Sequence, residues 1–75
     1  MEKQIKPKTV SVMKHASGHL QRLNVTRKIL LARLGEFNFG QAMTSLAEGA
    51  VLHWHPKYQT LAALSRRGYQ VWPLK

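Results

Sequence analysis

The four histidines of this chain stand in two close pairs, and imidazole is the side chain best suited here to metal ligation or to proton transfer near neutral pH. His15 and His19 fall at i and i+4 in HASGH, and His53 and His55 fall at i and i+2 in HWH. The first spacing on a helix, and the second on a strand, turns both rings to one face. Four such nitrogens could complete a tetrahedral zinc shell. Against zinc stands the scarcity of carboxylates, three Glu and no Asp, since carboxylates ordinarily orient liganding imidazoles from behind. Lys14, Arg22 and Lys57 lie close by in sequence and repel a dication. No cysteine supplies a thiolate. The expectation is therefore no cofactor and no metal, with zinc on His15, His19, His53 and His55 as the lesser reading.

The same histidines read differently beside the charge. Twelve Lys and Arg against three acids give +9 at pH 7, and self-repulsion of that size is most simply relieved by a polyanion. Residues 1–34 carry a net +7, residues 35–56 a net −2 and residues 57–75 a net +4. The leading expectation is a small basic nucleic-acid-binding protein, a regulator of transcription in the simplest case, with DNA favoured over RNA only weakly. Phosphate contacts are expected from Lys8, Lys14, His15, His19, Arg22, Arg27, Lys28 and Arg33 in the N-terminal third, and from Lys57, Gln59, Arg66 and Arg67 towards the C-terminus. The two arginines also suit the end of a helix, where the dipole favours positive charge. Stacking of a single-stranded base on Trp54 or Trp72 is a lesser reading, because both are large apolar residues in a chain short of core material.

The runner-up is a protein-interaction module, an inhibitor or adaptor with an acidic partner, whose apolar middle offers Phe37, Phe39 and Met43. A third reading is a histidine-based ribonuclease, with one imidazole as base, another as acid and Arg22 on the phosphate. So few carboxylates, no cysteine nucleophile and no Gly-rich phosphate loop make a binder the expectation over an enzyme.

The elements that must position these residues follow from periodicity. From Thr9 to Leu23, helical spacing gathers Val10, Val12, Met13, Ala16, Leu20 and Leu23. TVSV at its start and Gly18 within it dispute a helix and leave a short strand over Thr9 to Met13 as the alternative. A second helix is expected over VTRKILLARL, capped by Asn24 and closed by Gly35, and a third over Gly40 to Glu48, capped by Asn38. AVLHW reads as a strand with Leu52 and Trp54 on one face and Val51, His53 and His55 on the other. Pro56 opens a fourth helix, KYQTLAALSRR, and YQVW closes the chain as a strand.

The expected class is α+β, mainly helical, with three to four short helices and a small two-stranded sheet near the C-terminus. Residues 1–7 read as a flexible basic arm and residues 8–75 as a single small globular domain. A chain of 75 residues buries only about 60 % of the surface its unfolded form exposes, so its core is small and a homodimer is a natural way to enlarge it. The longest apolar run, ILLA, is far short of the ~20 residues that cross a bilayer. No membrane partner is expected, and the cytoplasm is the expected compartment.

Overall fold

The structure, a computed structural model, describes residues 8–16 and 18–75. Its elements run β1 (Thr9–Ala16), β2 (His19–Thr26), α1 (Arg27–Leu34), α2 (Glu36–Ala47), β3 (Val51–His55), β4 (Thr60–Ser65) and β5 (Gly68–Pro73). The five strands form one mixed sheet in the order β2-β1-β3-β4-β5. The molecule is thus a five-stranded sheet with two helices, which overturns the mainly helical expectation and its two-stranded sheet. The basic arm expected at residues 1–7 lies outside the described residues.

The first correction concerns Thr9 to Leu23, which is a hairpin and not a helix. β1 and β2 pair antiparallel from Thr9↔Thr26 to Ala16↔His19. Gly18 sits at the turn with φ 77, a left-handed conformation that a helix interior excludes and that tight hairpin turns use. Val10 and Val12 alternate with exposed Thr9 and Ser11, the two-residue period that β-branched side chains favour. Leu20 and Leu23, which helical spacing had grouped with them, stay exposed on β2.

β2 runs on to Thr26, so the cap of α1 is Thr26 and not Asn24: its hydroxyl accepts from the Ile29 amide at 3.2 Å. The two helices meet at one residue. Gly35 has φ 87 and ψ 160, a combination essentially confined to glycine, and its amide closes α1 on Leu31 while its carbonyl receives the Phe39 amide of α2. Asn38, expected as a cap, therefore lies inside the first turn of α2.

β3 appears where the alternation of AVLHW puts it, shifted by one residue, and it lies parallel to β1 through Met13↔His53 and Lys14↔Trp54. The second large correction follows it. Residues 57–67 are not a helix but a turn, strand β4 and the turn into β5. Leu61 and Ala63 point inward while Leu64 points out, so the apolar residues that mimic a helical face are shared between two faces of a strand. Gln59, at φ 52, closes the preceding turn and accepts the Leu74 amide on its carbonyl at 2.8 Å.

Both helices pack on one side of the sheet. Leu30, Leu34 and Ala42 from the helices meet Val12, Leu52, Leu61 and Trp72 from the strands, all buried. Two hydrogen bonds tie α2 to β5: Trp72 Nε1 donates to Gln41 Oε1 at 2.9 Å, and Ser45 Oγ pairs with Gln70 Oε1 at 2.9 Å. Among the described residues no helix is long and apolar enough to cross a membrane.

Candidate functional site

Strand register divides the side chains into two layers. One row crosses all five strands on the helix side as Gln21, Lys14, Trp54, Leu61 and Trp72. The neighbouring row emerges on the other side as Arg22, Met13, His53, Ala62 and Val71. Among the described residues nothing covers that second side, although it carries Leu20, Val51, Leu64, Tyr69 and Val71, each about half exposed or more.

On this open face lies a groove of about 440 Å³. Its floor is made by Thr60, Ala62 and Leu64 of β4, where the small Ala62 leaves the depression between taller neighbours. Tyr69 and Val71 of β5 form one wall, and His15, His53 and His55 form the other. Tyr58, on the turn after β3, stands at the histidine end with the Lys57 ammonium 5.8 Å from its ring centre. The two tyrosines are 69 % and 71 % exposed, so their rings are available to a ligand.

The three imidazoles form a cluster drawn from β1 and β3. His15 Nε2 and His53 Nδ1 are 3.1 Å apart and share one hydrogen, so one ring donates and the other accepts. The His15 and His55 rings stack with centres 4.2 Å apart and planes within 16°. His53 is held below its ordinary basicity by burial, then by His15. His55 is shifted in the same direction by burial, then by His15 and His53. Both therefore favour the neutral, proton-accepting form at pH 7.

Three of the four histidines considered for zinc thus come together, and His19 does not. It pairs with Ala16 at the hairpin end, on the side of Lys14, because adjacent strand positions alternate. Among the described residues no three groups are arranged to hold a metal ion. The stacking of His15 on His55 accounts for this, since lone pairs in parallel ring planes run side by side and do not converge on a tetrahedral centre.

The basic residues are dispersed. Arg22 is on the open face and donates to Ser11 Oγ at 2.9 Å. Lys14 is half-buried on the helix side, opposite Trp54. Arg33 is largely engaged within the fold: it lies 5.5 Å from the Trp54 ring centre, donates to Gln59 Oε1 at 2.7 Å and donates through Nε to the Lys75 carbonyl. Arg27 covers the Phe39 ring at 5.3 Å and reaches Met43 Sδ at 3.6 Å. Lys8 and Lys28 are exposed, Lys57 and Gln59 occupy the β3–β4 turn, and Arg66 and Arg67 form the tip of the β4–β5 turn instead of a helix end. Of the apolar trio, Phe37 is exposed, whereas Phe39 and Met43 pack against the core.

Sequence reasoning passed over Tyr58, Thr60, Ala62, Leu64, Tyr69 and Val71 as site residues. The alternation Thr60, Ala62, Leu64 against Leu61 and Ala63 was the available signal, masked by a helical spacing that fits the same letters. No family model matches the chain, and no curated protein or solved structure matches it either.

Proposed function

We propose that the protein binds single-stranded nucleic acid along the open face of its sheet. The observation that carries this reading is a groove walled by exposed aromatic and imidazole rings on the uncovered side of a chain with net charge +9. Splayed bases stack on such rings without regard to sequence, and each stacked base contributes about 1–3 kcal/mol. Tyr58, Tyr69, His53 and His55 supply the rings. Arg22 at one side of the face, Lys57 at the β3–β4 turn and Arg66 and Arg67 at the β4–β5 turn supply cations for the backbone. Of the two described glutamates, Glu36 lies in the first turn of α2 and Glu48 caps its C-terminus, and neither lines the groove.

A duplex suits this face poorly, because its bases are already stacked and both described helices, α1 and α2, lie on the other side of the sheet. Pairing with a second copy through the same apolar face is the competing use, and the positive charge of both copies opposes it.

Fluorescence anisotropy of a labelled single strand across a salt series tests the reading. Affinity should fall with a log–log slope of about −0.7 per phosphate neutralised. Tyr69→Ala and Tyr58→Ala should each weaken binding by about tenfold, in line with the loss of one stacked base. Arg66→Ala should lower affinity and flatten the salt slope. Absence of binding at low salt, or equal affinity for the tyrosine variants, overturns the reading.

A further inference from the structure

A face that only holds single strands has no need of three crowded imidazoles. Tyrosine stacks as well, and arginine holds phosphate more firmly at neutral pH. Yet β1 and β3 bring His15, His53 and His55 to one end of the groove, close enough to repel one another whenever two are charged. We propose that this end of the groove cleaves RNA, with His55 as the base towards a ribose 2′-hydroxyl and His15 as the acid towards the departing 5′-oxygen. The inference rests on the single-strand reading above and assigns that surface a substrate and a reaction.

The chemistry needs little from a small protein. RNA carries its own nucleophile beside the phosphorus, so no metal, cofactor or bound water enters the first step. What is required is a base and an acid that reach different oxygens of one phosphodiester. The His15 and His55 rings, stacked 4.2 Å apart, both line the groove, so each can serve its own oxygen. His53 is a positioning residue. When its Nδ1 accepts from His15 Nε2–H across 3.1 Å, it fixes the His15 ring and leaves Nδ1 of His15 as the site of the transferable proton. Burial and its neighbours favour neutral His53 and His55, the forms that accept. Groups facing the cluster from nearby elements are Tyr58 of the following turn and Thr60 of β4, with Lys57 beside Tyr58, while Arg22 of β2 is turned towards Ser11.

The step balances without redox change. A ring nitrogen of neutral His55 takes the 2′-hydroxyl proton, and the oxygen electron pair forms the new bond to phosphorus. The bond from phosphorus to the 5′-oxygen breaks, its pair leaves with that oxygen, and Nδ1–H of cationic His15 supplies the proton. The products are a 2′,3′-cyclic phosphate and a 5′-hydroxyl end, with His55 cationic and His15 neutral. Proton exchange with water restores both. DNA, which lacks the 2′-hydroxyl, is bound and left intact.

The test uses the full chain and a labelled DNA strand containing a single ribonucleotide, with an all-DNA strand beside it. Cleavage should occur only at the ribonucleotide, leave a 2′,3′-cyclic phosphate, persist in chelator and follow a bell-shaped pH profile. His55→Ala and His15→Ala should each slow it about 100-fold or more while the all-DNA strand is still bound. His53→Gln, which retains an acceptor for His15, should keep more activity than His53→Ala and shift the acidic limb of the profile. His19→Ala, identically purified, should match the parent, and melting temperatures confirm that each variant is folded. Binding without cleavage overturns this inference and leaves the binding proposal standing, as does cleavage that is equal in the His15 and His55 variants. Loss of binding to both strands by the parent protein overturns the two together.

Discussion

The row Gln21, Lys14, Trp54, Leu61 and Trp72 lies on the helix side of the sheet, and one position further along the same strands Arg22, Met13, His53, Ala62 and Val71 lie on the open side. Both layers are rich in apolar side chains, so composition does not separate them. What separates them is that α1 and α2, joined at the single residue Gly35, can lie on only one side. The covered layer is where stability resides. The open layer keeps Leu64, Tyr69 and Val71 in solvent, and a contiguous apolar surface of that kind on a small protein marks a place of contact.

The largest expected effect breaks or sustains this contrast directly. Leu52→Ala and Leu61→Ala remove fully buried side chains and should each cost about 2–5 kcal/mol, enough to unfold much of a chain with so small a core. Leu64→Ala and Val71→Ala, on the open layer, should stay within about 0.5 kcal/mol. Urea midpoints decide. If Val71→Ala costs as much as Leu61→Ala, the open layer is covered in solution, and self-association has taken the place assigned to nucleic acid.

Next in size is the hinge that puts both helices on one side. Gly35→Ala places a side chain at φ 87 and ψ 160 and should cost about 1–3 kcal/mol in backbone strain. A Cβ there would meet only the flexible tip of Lys75, at 3.4 Å, so crowding adds little and the measured loss reports the backbone alone. Trp72→Phe comes third. It deletes the indole donor that Gln41 receives at 2.9 Å and should cost about 1 kcal/mol in thermal or chemical denaturation, with ligand binding on the far side unchanged.

The contrast between layers was legible in the sequence only where a strand is short and cleanly alternating. In HWH the sides of Leu52, Trp54, His53 and His55 follow from a period of two, and the structure places them so. α1 and β5 were likewise readable from a local pattern. The hairpin and β4 were not, because over eight or fewer residues a set such as Leu61, Ala62, Leu64 fits a helical face as well as two strand faces. What decides between them is strand pairing, β1 with β2 and β4 with β3 and β5, which a window along one segment does not contain. The histidine cluster was legible only as a set of four, and its membership was not. His15 was matched with its neighbour His19, whereas its partner in space is His53, 38 positions away, brought there by the parallel β1–β3 register. Gly18 was the one local clue that the segment turns back on itself.

The smallest effect separates the layers by proton linkage. His53 and His55 belong to the open layer, and in the folded chain both hold protons less tightly than the ordinary value of 6.5, through burial first and then neighbouring imidazoles. Above about pH 6.5 folded and unfolded chains are equally unprotonated at these rings. Below it the unfolded chain takes up protons first, so their contribution to stability is intact at neutral pH and is lost on acidification, levelling off once the folded chain is protonated as well. Melting temperature measured from about pH 7.5 to about pH 5 should therefore decline, modestly because both rings keep contact with water. Replacing both rings, as His53→Asn with His55→Asn, should flatten that decline. An undiminished decline in the double variant would place the acid-sensitive groups elsewhere than the groove wall, and with them the case for its neutral, proton-accepting imidazoles.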